Sequence, residues 1–268
     1  MLTSAEAQAR EPDVNFHGAT QIASSPRDGA IDPVLVSKAL VDAAIQQGAQ
    51  VLERCAVLSV DDSSDHKGKL LRTSCGPIEA DRVVLATGPA PAAVKRFGGF
   101  DLPQRSTPGV IVVTRPVKQL LRGILVAPGI HIHQRMDGRL VIGEQDGAPD
   151  TAAHAARLAQ RPKRFPDDLV AEQHAQRLLA TTRNYLPSVG EVEVDEVIIG
   201  WRPLPVDGHP VIGQSPEDDS VYVAIMHSGV SLAAITGDLV ARELANGVEM
   251  ALLQPFRANR VFDTKNRY

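Results

Sequence analysis

The residues of this chain best suited to chemistry lie between Gly200 and Leu232. Arg202 stands between Trp201 and Pro203, and Pro203 and Pro205 stiffen the stretch that presents it before the Asp207-Gly208 turn. A guanidinium held this way suits bidentate capture of a carboxylate, because its planar fork matches the two oxygens. A local ion pair with Asp207 is the competing reading. Farther on, Met226-His227-Ser228-Gly229-Val230-Ser231 joins an apolar strand, Val221 to Ile225, to a helix with Leu232, Ile235, Leu239, Val240 and Leu244 at helical spacing, ending near Asn246-Gly247. Such a mouth presents unpaired N–H groups and the positive end of a helix dipole, and so stabilises negative charge on a bound group. The plainer alternative is a strand-to-helix turn capped by Ser228 or Ser231.

Two further places carry candidate chemistry. In ADRVVLATG, Ala80 to Gly88, the apolar run Val83-Val84-Leu85 reads as a strand buried on both faces, and it stops at Thr87-Gly88-Pro89. A small residue and a glycine at a strand's C-terminal end let a ligand approach the backbone closely, or simply make a turn. His131 and His133 alternate onto one strand face, a spacing that metal sites use, but no HxxE, HExxH or cysteine pair completes a ligand set. A face toward a substrate cavity and a structural pair are the readings preferred to metal. The two cysteines, Cys55 and Cys75, form neither a CxxC nor a cysteine–histidine pattern, so buried reduced thiols are expected rather than a disulfide framework or a zinc site.

These residues must be positioned by a mixed α/β (α+β) fold. Asp32-Pro33 is a helix start, Gly48 a C′ glycine, and Leu35, Ala39, Leu40, Ala43 and Ala44 give the helix between them an apolar face. Short strands follow at Gln50 to Glu53, Ala56 to Val60, Leu70 to Ser74 and Arg82 to Ala86. The stretch 106–187 reads as a separate inserted domain. It has strands at Gly109 to Thr114, Ile124 to Ala127, Ile130 to His133 and Leu140 to Gly143, a turn at Met136-Asp137-Gly138, and an amphipathic helix from Pro166 to Asn184. Gly147 to Arg164 is polar and alanine-rich and has no clear pattern. Residues 1–105 and 188–268 form the enclosing domain, which closes with the alternating strand Val192 to Gly200, the proline-stiffened connection, and strands Val211 to Gly213 and Val221 to Ile225.

With 268 residues, 43% of them hydrophobic and 22% charged, the chain has enough apolar material for such a core. A net charge of -4 offers no basic field for nucleic acid. No stretch approaches the roughly 20 apolar residues of a membrane span. The first residues lack the apolar core of a secretory signal, so a cytoplasmic location is expected.

Taken together, DGAIDP (Asp28 to Pro33), ADRVVLATG, RMDGRLVIG (Arg135 to Gly143), GWRPLPVDGHPVIG (Gly200 to Gly213) and MHSGVSLAAITG (Met226 to Gly237) match in order and spacing a known family. The chain resembles, from about Ser4 to Phe262, the FAD-dependent oxidoreductases of the D-amino acid oxidase type, especially the glycine oxidase and D-amino acid dehydrogenase branch. The resemblance implies a two-domain flavoprotein that oxidises the C–N bond of a small amino acid or secondary amine by hydride transfer to flavin. It implies that Arg202 binds the substrate carboxylate and that His131 stands where relatives often place a substrate-contacting tyrosine. Thr87, Gly88, Gly200, His227, Ser228, Gly229, Val230, Ser231 and Leu232 would line the flavin. With no cysteine near His227, the FAD is expected to be non-covalent.

The family's opening βαβ unit with GxGxxG cradles the FAD pyrophosphate, and no GxGxxG occurs here, so on the order of 100 residues of the standard two-lobed flavoprotein are expected to be missing. Ala90-Pro91 replaces the aromatic that commonly follows the ATG-like turn, and Ala234 a frequent proline. The incomplete Rossmann-like sheet should expose an apolar face or edge, to be covered by a second copy or a complementing chain. The alternative to an enzyme is a non-catalytic subunit or decayed relative that binds a partner through that surface.

Overall fold

A computed structural model of the chain describes residues 1–16, 18–64, 68–144 and 168–263. Its helices are α1 (Ser4–Arg10), α2 (Pro33–Gln46), α3 (Pro91–Gly98), α4 (Asp168–Tyr185) and α5 (Ala233–Asn246). Its strands are β1 (Val57–Asp62), β2 (Lys69–Thr73), β3 (Gly76–Ala80), β4 (Val83–Leu85), β5 (Gln104–Thr114), β6 (Ile124–Ala127), β7 (Ile130–Gln134), β8 (Leu140–Glu144), β9 (Val194–Pro205), β10 (Val211–Gln214) and β11 (Val221–Ile225). They gather into two compact units, Met1–Asp32 with Thr107–Trp201 and Pro33–Ser106 with Arg202–Tyr268. Gly147 to Arg164 and the start of the helix expected from Pro166 fall outside the described residues.

The first unit is a five-stranded sheet of order β6-β7-β8-β5-β9, with α4 packed on β7 and β8. Strand alternation divides its side chains cleanly. Val110, Val112, Ile130, Ile132, Leu140 and Ile142 point to the helix side, where they form one core with Ala175, Leu178 and Leu179 of α4. Val14 joins this core, and the Asn15 amide donates to the Tyr185 carbonyl, so the N-terminal segment lies with the sheet. The Gln134 side chain fastens the connection before β6. Its Oε1 accepts from the Leu120 and Leu121 amides, and its Nε2 donates to the carbonyls of Val117, Lys118 and Gly138. Glu144, buried at the end of β8, pairs with Arg177 and lies 3.5 Å from His174 Nδ1, tying α4 to the sheet.

β9 does not stop at Gly200 as its alternation suggested but runs on through Pro203 and Pro205. It is the edge of its sheet, where a residue without an N–H costs no ladder hydrogen bond. The same reasoning explains β3, which the sequence did not suggest. Pro77 sits on the outer strand of a three-stranded antiparallel sheet, order β1-β2-β3. Gln50 to Glu53, expected as a strand, is not one.

The second unit also holds the sheet β10-β11-β4, in which β11 runs antiparallel to β10 and parallel to β4. Val83, Leu85, Val211, Val221, Val223 and Ile225 face α3 and pack with Val94, Phe100 and Leu102. Ile212 and Tyr222 face the other way, onto Leu239 and Val240 of α5 and Leu253. Val84, however, is 42% exposed, so β4 is buried on one face only, contrary to the reading of its apolar run. α2 forms where its cap signals placed it, but it buries no residue; Val34, Leu35 and Leu40 are all exposed. α2 and Val84 thus present apolar side chains at the surface, and β4 is an edge strand of its sheet.

Two charged clasps hold the C-terminal segment to this sheet. The Arg260 guanidinium takes both carboxylate oxygens of buried Asp207, at 2.8 and 3.0 Å, and stacks 4.4 Å from the Phe262 ring centroid. Glu243, buried on α5, accepts from Tyr222 Oη, both terminal nitrogens of Arg257 and the Met250 amide.

Candidate functional site

Because β4 and β11 are adjacent and parallel, their C-terminal ends open at the same edge of the sheet, the usual ligand-binding end of an α/β unit. β4 leads into Thr87-Gly88, with Gly88 at φ +56°, a left-handed conformation, and a Cβ there would meet nothing within 4 Å. Thr87 Oγ1 is buried and has no hydrogen-bond partner among the described residues. Neither has Gln104 Oε1, although Gln104 Nε2 reaches the Gly88 carbonyl at 3.4 Å. Buried acceptors are rarely left unpaired, so this pair is suited to a ligand donor. Gln104 carries no sequence signal; only the fold brings it from β5 to this turn.

β11 leads into the turn His227 to Leu232, in which His227 through Ser231 are exposed and Leu232 is half-buried. The cap residue of α5 is Leu232, with no side-chain cap bond, so neither Ser228 nor Ser231 takes the capping role. The Leu232 and Ala233 amides donate to the Ser228 and Val230 carbonyls, which leaves the Ala234 and Ile235 N–H groups of the first turn open to an acceptor. Desolvation, then the Arg202 charge, lower the pKa of the His227 imidazole, so Arg202 lies near this turn. The ion pair of Arg202 with Asp207 does not form, since Asp207 is engaged by Arg260. Arg202 is half-buried and pairs with no carboxylate among the described residues. Gly200, two residues earlier on β9 and on the same strand face, is exposed, with open space where a side chain would be.

His131 belongs to the other unit and lies on the sheet face away from α4. It sits between Val126 and Gly143 in the cross-strand row, and its imidazole occupies the space over Gly143, where a Cβ would come within 2.2 Å of Nε2. The glycine therefore makes room for the ring. Gly143→Ala is expected to destabilise the chain by about 1–3 kcal/mol, the cost of overpacking, and His131→Ala in the same chain to recover most of it. Equal melting temperatures for wild type and Gly143→Ala would contradict this placement. Burial first, then Arg135 and His131, lower the pKa of His133. Among the described residues no group of three or more histidines, cysteines or acids is arranged to hold a metal ion.

Parallel strand ends, a helix mouth, two buried acceptors and an arginine without a carboxylate partner among the described residues thus belong to the second unit. The chain belongs to the family described as "DAO: FAD dependent oxidoreductase", whose model it matches over residues 1–243. It is 29% identical over 263 residues to a glycine oxidase of Geobacillus kaustophilus, an alignment covering 97% of this chain and 65% of that protein. A mitochondrial sarcosine dehydrogenase of Mus musculus is 24% identical, with 92% of this chain and 27% of the relative covered. The crystal structure of glycine oxidase from Geobacillus kaustophilus superposes with a TM-score of 0.78 at 28% identity, covering 98% of this chain and 67% of that one. The chain thus spans just under two thirds of the length of its first curated relative. No helix among the described residues is long and apolar enough to cross a membrane.

Proposed function

We propose that this chain builds the substrate-side and ring-side part of an FAD-dependent oxidoreductase that oxidises the C–N bond of a small amino acid or secondary amine. The observation that carries the proposal is Arg202, unpaired by described carboxylates, beside the open mouth of α5. FAD, when bound, supplies the two-electron acceptor. The chain's own residues orient and stabilise. Arg202 would fix the substrate carboxylate, the open Ala234 and Ile235 N–H groups in the first turn of α5 would favour negative charge on the ring, and Thr87 and Gln104 would accept from ring donors. The glycine oxidase and sarcosine dehydrogenase relatives support a primary or secondary amine next to a carboxylate as the substrate class.

Thermal unfolding with and without FAD tests this. A ligand that binds only the folded chain at about a hundred times its Kd stabilises by about 2.7 kcal/mol, a shift of several degrees. A colourless protein whose melting temperature FAD leaves unchanged would remove the cofactor role for this chain acting alone. A second reading, a subunit completed by another polypeptide, is favoured by the exposed α2, Val84 and the open edge of β4. It predicts that the FAD-induced shift appears only when a GxGxxG-bearing βαβ segment is supplied.

A further inference from the structure

Cys55 and Cys75 are neither buried, as their sequence suggested, nor remote from each other. Cys55 is half-buried and Cys75 exposed. The antiparallel ladder of β1 and β2 pairs Val57 with Thr73, and its next step is closed by the Ser74 amide donating to the Ala56 carbonyl at 2.9 Å. Ser74 and Cys75 are the two turn residues of the β2–β3 hairpin, whose last pair is Thr73 with Gly76, and the Ala56 amide donates back to Ser74 Oγ at 2.9 Å. These bonds pin the turn to the segment that leads into β1 and bring Cys75 next to Cys55.

The local structure holds the two residues in place. Thr73 Oγ1 accepts from the Cys55 thiol at 3.2 Å and from the Cys75 amide at 3.1 Å. Arg54, at φ +56° in a region that non-glycine residues seldom enter, turns the chain into Cys55. Gly76, at φ +116°, turns it out of Cys75. Hydrogen bonding with Cys75, then Thr73, lowers the pKa of Cys55, while hydrogen bonding with Cys55 raises that of Cys75.

We propose that Cys55 and Cys75 are a modification site, a dithiol that hydrogen peroxide closes to an intrachain disulfide between the segment entering β1 and the β2–β3 turn. The Cys55 sulfur attacks one peroxide oxygen, the O–O bond breaks, and the departing hydroxide leaves as water with the thiol proton. The sulfur of Cys75 then attacks the Cys55 sulfenic acid. An S–S bond forms, the S–O bond breaks, and a second water carries away the remaining proton. Two thiols lose two electrons and two protons, and peroxide is reduced to two waters.

The test uses the wild-type chain treated with a small excess of hydrogen peroxide, then digested with trypsin without reduction. Cleavage after Arg54, Lys67, Arg72 and Arg82 places the two cysteines on separate peptides, 55–67 and 73–82. Expected are a linked pair of these peptides lighter by two hydrogens than their sum, loss of both titratable thiols, and recovery of both with dithiothreitol. In Cys75→Ser, which cannot close, Cys55 is expected to yield a sulfenic acid that dimedone traps. Thiols that stay titratable, oxidation straight to sulfinic acid, or cross-links only between chains would each overturn the proposal.

Discussion

Replacing Arg202 with leucine is expected to lower kcat/KM for a carboxylate-bearing amine about 10²–10³-fold in the FAD-supplied protein, while a carboxylate-free amine of similar shape loses little. The magnitude follows from removing one partner of a desolvated, hydrogen-bonded charge pair, about 2–5 kcal/mol, where each 1.4 kcal/mol or so is tenfold. Arg202→Lys should recover only part of the loss, because an ammonium keeps the charge but not the two-pronged geometry. Affinity for a small non-oxidisable carboxylic acid should fall in parallel, which separates substrate capture from any effect on the chemical step. If wild type and Arg202→Leu turned over the amino acid at equal rates, the assignment of the carboxylate to Arg202 would be lost.

The largest effect on stability is expected at Glu243. Glu243→Ala leaves the Arg257 guanidinium, 13% exposed, without its main partner, together with the Tyr222 hydroxyl and the Met250 amide. Breaking a buried pair from one side costs about 3–5 kcal/mol. Burial alone would raise the pKa of Glu243, but hydrogen bonds from Arg257, Tyr222 and the Met250 amide outweigh it and hold the carboxyl below the usual range. Asp207 behaves alike: burial opposes, and Arg260 and the His209 amide prevail. A carboxylate whose folded pKa is depressed contributes its stability in full above the unfolded value, near 4–4.5, and loses it as pH falls through the folded value. Melting temperature should therefore hold at neutral pH and drop on acidification below that range, and Glu243→Ala should start lower and drop less. Parallel acid limbs for the two proteins would rule out this role.

How much of this was legible in the sequence depended on whether the signal was local. α2, α5 and strands β6 to β8 appear within a residue or two of their expected limits because caps, glycines and alternation act over a few residues. The family motifs were legible because they combine several such segments in a fixed order. What escaped was set by sheet position. β3 and the last residues of β9 contain prolines that argue against a strand unless the strand is an edge, and only the assembled sheet says which strands are edges. The partner of Asp207 was misjudged for a similar reason: Arg202 is near in sequence, whereas Arg260 is near in space. Gln104 gives no hint at all, since its importance rests on an unsatisfied oxygen rather than on its neighbours in the chain. The cysteines were judged by spacing, and only the fold brings the β2–β3 turn beside the start of β1.

The pairing of Val83 with Val221 has a consequence for how the molecule comes into being. β4 cannot find its neighbour until β11, beyond all the strands of the other sheet, has been made. Strands β5 to β8 of the sheet carrying His131 follow one another closely and can pair while synthesis continues, and β9 joins their edge later. Loop-closure entropy and synthesis order favour the same sequence of events, with the pairing of β5 to β8 formed first. Val83, Val84 and Leu85 must meanwhile wait as a short apolar segment with both edges open, so the interval before β11 arrives is when this protein most needs a chaperone.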